Sequence, residues 1–302
     1  MAVFDTTTGK LALPDELAAG IIKRTQDTSV LARLSAREPM RFGKTDYLTF
    51  TDFPKAEFVE EGAEKAASTV KMASVTAVPH KAQVTVRLTE EVQWADEDYQ
   101  LGVLRTISDE LAVALSRALD LGAIHRINPL TGAQTTWDNY IAASTLTVVQ
   151  DTADPDEDFR TAVGLLINSD VTPTGAAFDP GFSWDLANLK VKDGSGTTSQ
   201  LRYPTLGFGT NVTDFMGLPV AQGDTVSAKR EAAAATGVRA IVGDFATGFR
   251  WGLQRSIPVS IIRYGDPDGQ GDLARKNEIA LRAEAVYGWY AFTDRFALVK
   301  AA

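Results

Sequence analysis

Cysteine is absent from the 302 residues, which removes disulfides, thiolate nucleophiles, zinc fingers and iron–sulfur clusters together. Histidine is represented only by His80 and His125, so imidazole-based metal and acid–base schemes are short of parts. No apolar run approaches the roughly 18 residues of a membrane helix. The opening MAVFDTTTGKLALPDELAAG lacks the basic start and apolar stretch of a secretory signal. The expectation is a protein made and assembled in a cytoplasm, with no membrane partner. Basic charge is also in short supply, 30 groups against 39 acidic ones for a net of −9. That excludes a nucleic-acid reader that relies on phosphate neutralisation, but not a protein lying beside nucleic acid without gripping it. What is present is a 44% hydrophobic, 23% charged chain, enough for a packed core in about two domains or one large one.

In the N-terminal stretch, Pro14 at a first helical position with Asp15 and Glu16 behind it predicts a short helix, its narrow face made by Leu17, Ile21 and Ile22. Tyr47–Phe50 reads as strand. Ala82, Val84, Val86 and Leu88 alternate with polar neighbours, a second strand with one polar face. Between them, FPKAEFVEEGAEKAASTVKMAS is too poor in apolar residues for a core of its own, so it reads as a long two-stranded excursion that needs a neighbouring subunit. Leu104, Ile107, Leu111, Leu115 and Ala118 predict a helix from about Asp96 to Arg126, on the order of 45 Å long and stopped by Asn128-Pro129. Asp96, Glu97 and Asp98 at its start, and Arg117, His125 and Arg126 at its end, complement the helix dipole. Further on, the pattern predicts a helix over Asp156–Asn168, a shorter one over Ser183–Leu189, a Gly/Ser/Thr loop at Asp193–Ser199 and a strand at Leu218–Ala221. Strands return around Ile257–Ile261, Ile279–Ala285 and RFALVK. This is an α+β chain.

Chemistry is hard to find. Neither histidine has a carboxylate at ligand spacing, so both read as cap or surface residues. Gly194–Thr198 and Gly207–Thr210 lack phosphate-loop spacing and read as turns. Asp266, Asp268 and Asp272 do not follow the calcium-loop order and read as a solvated turn. Trp251 and Phe249, beside Gly252, read as core or interface. No G-x-S-x-G occurs. The sequence therefore offers no catalytic residue, no cofactor site and no metal site, and an enzyme is not expected.

The order of these pieces resembles the major capsid proteins of tailed bacteriophages, the Hong Kong 97-type shell fold. The likeness is carried by Phe58-Val59-Glu60-Glu61-Gly62 in the excursion, the helical run from Thr89 to Asn128, Met216-Gly217-Leu218-Pro219-Val220, Ile241-Val242-Gly243-Asp244-Phe245 and Lys276-Asn277-Glu278-Ile279. The resemblance implies an N-terminal arm (1–40), an extended loop with flanking strands (41–92) and a peripheral domain with a spine helix (93–145). An axial α+β domain (146–243) and return strands ending in the axial domain (244–302) complete it. It also implies pentamers and hexamers closing into an icosahedral head around double-stranded DNA, without sequence-specific binding. A portal protein and in some cases a decoration protein belong to such a head. Because the arm begins almost at once after Met1, a separate scaffolding protein is expected, the alternative being an already mature chain. The chain would reside in the virion after assembly in the host cytoplasm.

Some members of that family cross-link their shells by an isopeptide bond. Asn277 and Glu284 fall at the matching positions, and Lys65 or Lys71 would supply the amine, provided burial or a carboxylate deprotonates it. Most members do not cross-link, and both residues are preferred as ordinary strand positions. From position alone, Glu60, Glu61, Lys65 and Lys71 are candidate interface residues, with Arg250, Arg255 or Arg263 of a neighbour as basic counterparts. Two other readings remain open: an encapsulin-type nanocompartment shell, which encloses an enzyme cargo, and a two-domain α+β enzyme that works with carboxylates.

Overall fold

The computed structural model of the protein describes residues 29–52, 54–90, 97–151, 153–193 and 196–302. The helix expected around Pro14, together with Asp96 and the Gly194-Ser195 pair, lies outside the described residues. In chain order the elements are helix α1 (Val30–Leu34), strands β1 (Thr45–Asp52) and β2 (Lys71–Thr89), the long helix α2 (Glu97–His125) and β3 (Leu146–Val149). Then come α3 (Pro155–Asn168), β4 (Gly175–Phe178), α4 (Pro180–Ala187), β5 (Lys190–Asp193), β6 (Gly196–Leu201) and β7 (Asp214–Phe215). β8 (Leu218–Gln222), β9 (Val238–Gly243), β10 (Phe249–Ile262), β11 (Glu278–Ala291) and β12 (Phe296–Lys300) complete the fold.

Two sheets organise these elements. The first runs β1-β2-β11-β10, all antiparallel. β2 serves two partners in succession. Residues Lys71–Ala77 pair with β1, and from Val78, opposite Trp289, to Thr89, opposite Glu278, the strand pairs with β11. The second sheet runs β3-β12-β9-β4-β8-β7, with parallel β3-β12 and β4-β8 contacts in an otherwise antiparallel order.

The period of two in these strands decides what each face buries. In the second sheet Ala177, Ile241 and Leu298 point into one core, shared with Leu111, Leu115, Leu119 and Ile124 of α2 and with Ala283, Ala285, Tyr287 and Trp289 of β11. Their neighbours Ala176, Phe178, Ala240, Val242, Ala297 and Val299 point to the opposite face, against Phe159, Ala162 and Leu166 of α3 and Phe182 and Leu186 of α4. Both faces of this sheet are covered, which is why its strands read as nearly continuous apolar runs. The long helix is the common wall between the sheets.

Several sequence expectations shift on contact with the structure. The shorter helix begins at Pro180, not Ser183, because the Asp179 carboxylate accepts from Gly181 N (2.9 Å) and Pro180 takes the first helical position. The expected Gly/Ser/Thr loop belongs to a β5–β6 ribbon with Lys190 opposite Leu201 and Asp193 opposite Gly196. The long helix ends at His125, ahead of Asn128-Pro129, where Arg126 turns left-handed (φ 53°). Neither histidine stands free on the surface: His125 is buried, with Nε2 2.8 Å from the Val226 carbonyl, and half-buried His80 lies tilted against both Trp137 and Trp289, ring centroids 4.1 and 4.2 Å away. Burial pushes both imidazoles down to about 4, so each is neutral near pH 7.

Candidate functional site

The least self-sufficient part of the molecule is the loop between β1 and β2. Every residue from Pro54 to Met72 is exposed, Phe58 completely so, and residues 54–70 form no strand. The loop holds its outline through side-chain-to-backbone bonds: Lys55 N donates to Ser68 Oγ (2.8 Å) and Ala66 N to a Glu57 oxygen (3.1 Å). The tip turns at Glu61-Gly62, where Ala63 N donates to the Glu60 carbonyl (3.1 Å) and Gly62 takes φ 85°, a conformation glycine adopts without penalty. Phe58, Val59, Val70 and Met72 present apolar surface along it. Glu57, Glu60, Glu61 and Glu64 outnumber Lys55 and Lys65, so the loop is an acidic ribbon with apolar patches, and none of the described residues buries it.

The candidate residues fall into three settings. Glu60, Glu61, Lys65 and Lys71 are all in solvent, Lys71 at the first position of β2. Among the basic candidates, Arg255 is exposed beside a bulge in β10. Arg250 and Arg263 face acidic groups of their own chain, Glu38 at 3.7 Å and Glu90 at 3.9 Å. The pair proposed for covalent chemistry is split. Glu284, within β11, binds Lys81 Nζ at 2.8 Å, so the lysine beside it in its own subunit is neither Lys65 nor Lys71. Asn277 is not a strand residue: it is exposed, left-handed (φ 53°), and its carbonyl accepts from Glu90 N (2.8 Å). Both Lys65 and Lys71 are exposed in the single subunit, without the apolar surroundings the cross-linking expectation calls for.

The Asp266–Asp272 segment is a largely exposed turn, as its sequence suggests, and it is also clamped to β2 by Arg87. Arg87 Nε donates to both Asp268 oxygens (2.8 and 2.7 Å), Nη1 to Glu278 (2.6 Å), and Nη2 to Asp266 (3.1 Å) and to the Gly271 carbonyl (2.7 Å). The guanidinium holds the Asp268 carboxyl below its ordinary range, and hydrogen bonds to Asp268 and Glu278 raise the Arg87 pKa further. Asp272 accepts from Arg275 N (3.1 Å) at the next turn. Among the described residues no three histidine or acidic side chains are grouped to hold a metal. Nor is any helix there long and apolar enough to cross a membrane.

A second built feature lies at the junction of α1, α2 and the second sheet. Asp120, on α2, is fully buried, and burial pushes its carboxyl up while four neutral donors pull it down. Val30 N (2.9 Å), Leu31 N (3.3 Å), Thr225 Oγ1 (2.8 Å) and the Ser29 hydroxyl all donate to it. Sequence reasoning missed both Arg87 and Asp120, because the residues they hold lie about 90 to 190 positions away. The acid-rich DPDGQGD segment was the visible half of the Arg87 set.

Comparison with known proteins gives one consistent answer. The model of the phage capsid family matches residues 9–299. A solved structure from Mycobacterium phage Ogopogo is 46% identical over 91% of this chain and 92% of its own, with a TM-score of 0.80. One from Gordonia phage Cozz is 29% identical over 91% and 87%, TM-score 0.78. The capsid of a native GTA particle, 16% identical over 91% and 90% with TM-score 0.57, shares the fold. No curated protein sequence matches.

Proposed function

The chain belongs to the phage capsid family, and from that premise we propose that it is the major subunit of a tailed-phage head, joined to its neighbours through the exposed β1–β2 loop. A structural shell protein, not an enzyme, is what family and fold establish. In the finer reading the copies gather as pentamers and hexamers and close into an icosahedral head around double-stranded DNA. A separate scaffolding protein guides closure in the host cytoplasm, a portal protein occupies the entry vertex, and a decoration protein is an optional addition. The first sheet with α2 acts as the peripheral body and the second sheet as the axial one.

The observation that carries this reading is the loop itself. Nineteen consecutive positions, 54 to 72, expose an acidic ribbon with a bare phenylalanine and join no core among the described residues. A closed assembly gives every such loop a partner, whereas a monomer leaves all of that apolar surface in water. Arg255, exposed and free to face outward, is the preferred basic counterpart for Glu60 and Glu61. A rim ion pair is worth only about 0–1 kcal/mol, so cohesion must come from area and repetition.

The test is electron microscopy of purified material beside a Glu60→Lys, Glu61→Lys double variant. Wild type is expected to form closed particles. The variant is expected to keep its circular dichroism and lose particle yield. Wild-type yield from the double variant refutes the pairing, and a wild type that stays a small soluble oligomer refutes the shell reading. On denaturing gels, ladders in place of one band would reveal cross-linking through Lys65 or Lys71 and Asn277.

A further inference from the structure

We propose that Asp120 is the lock of a three-way clasp that couples the seating of Ser29–Leu34 to the Asp224–Val226 turn through the long helix. The carboxylate sits in the interior without a cationic partner: its donors are two backbone amides, two hydroxyls and no arginine or lysine. Three of the four come from one short piece of chain, Ser29 to Leu31, and the fourth from Thr225. A buried carboxylate that loses its donors keeps the whole cost of desolvation. Lifting the piece away therefore leaves Asp120 with Thr225 alone, and disturbing the Thr225 turn leaves it leaning on the piece alone.

The surroundings make this a joint and not an isolated bond. Ser29 Oγ also accepts from Ala32 N (3.1 Å), so the hydroxyl that donates to Asp120 caps α1 at the same time. Val30 packs so close to Gly223 that a Cβ there would come within 2.3 Å of the Val30 Cγ2 atom. Arg33 donates to the Gln222 carbonyl at the end of β8, and Ser35 Oγ donates to the Phe249 carbonyl at the start of β10 (2.8 Å). His125, one helical turn and a residue beyond Asp120, holds the Val226 carbonyl on the other side of the same turn. The piece 29–35 thus touches a strand of each sheet and the long helix, and Asp120 is its hydrogen-bonded anchor on that helix. By linkage, seating one side of the clasp favours the other by the same factor by which the other favours it. This inference does not rest on the shell reading, since it is read on the single chain.

Hydrogen exchange with mass spectrometry on the full chain tests it, with the β11 amides 279–290 as internal reference. In Asp120→Asn the amide NH₂ faces donors, and exchange at Val30, Leu31 and Ala32 is expected to quicken by at least about tenfold relative to the reference. Thr225→Val is the decisive variant, because Thr225 bonds Asp120 and not the 29–34 piece: it too is expected to quicken exchange at residues 30–32 severalfold. Unchanged exchange at 30–32 in Thr225→Val overturns the coupling, as does an equal rise at 279–290, which marks general loosening. If Asp120→Asn does not fold, Ser29→Ala and Thr225→Val decide between them: each must loosen the other's side of the clasp, residues 224–228 and 30–32 respectively, or the proposal fails.

Discussion

Acid should weaken this fold through His125 in a measurable way. The ring is buried at the end of α2 with Nε2 on the Val226 carbonyl, and burial pushes its pKa from the ordinary 6.5 down to about 4. Between those two values the unfolded chain carries the proton and the folded chain does not. Stability then falls with falling pH by about 1.4 kcal/mol per unit. Over the interval from neutrality to pH 4 the loss from this one side chain amounts to roughly 3 kcal/mol, a large part of a typical domain's 5–15 kcal/mol. The loss is complete only below the folded pKa, and above pH 7 the contribution is flat. Asp120 works in the opposite direction, because its raised pKa means that the folded state takes up a proton more readily as pH drops. The comparison must therefore be between wild type and a variant that keeps Asp120. His125→Gln retains a donor for Val226 and removes the titration. Urea unfolding of both proteins at pH 7.0, 6.0, 5.0 and 4.5, under conditions where neither assembles, should give curves that converge as pH falls. The variant would start less stable and lose less. Parallel curves across that range would refute the assignment of acid sensitivity to this ring.

Two further outcomes follow from particular contacts. Arg87→Ala should free the Asp266–Gly271 turn from its clamp while leaving the paired β2–β11 ladder in place, seen as faster tryptic cleavage at Arg275 or Lys276 with unchanged circular dichroism; a cleavage rate equal to wild type would show that the turn holds without the guanidinium. Gly252→Ala should cost about 2–4 kcal/mol in urea unfolding, because its Cβ would stand 2.3 Å from the Glu38 carbonyl where that segment runs along β10; a loss under about 0.5 kcal/mol would mean that the Glu38–Met40 segment gives way freely.

Much of the architecture was legible because it is written in short periods. The alternation of Val84, Val86 and Leu88, the spacing of Leu111 and Leu115, and the order of motifs from Gly62 to Asn277 each depend on neighbours in the chain. Other features depend on partners far away. His80 looked like a surface residue because nothing nearby in sequence announces Trp137 and Trp289. Arg87 read as one more outward position of an alternating strand, when three carboxylates and a backbone carbonyl from residues 266–278 converge on it. The N-terminal boundary of α4 is set by a local signal, Asp179 before Pro180, three residues ahead of the Ser183 start expected from the sequence. The interface candidates are the part that a single chain expresses least: Glu60 and Arg255 lie in solvent, and in the proposed shell their counterparts would belong to other copies.

The double allegiance of β2 has a mechanical consequence. Its 19 residues run unbroken from the ladder with β11 to the ladder with β1, a beam of about 60 Å at ordinary strand rise. Because the longer part is paired into the body and the shorter part leads to the loop, the base of the loop moves as the far end of a lever. A tilt of the body by some ten degrees would sweep the beam's end through about 10 Å, so small changes in how a subunit leans become large changes in where its reach ends, and the local curvature of any surface tiled by this chain is transmitted along a single strand.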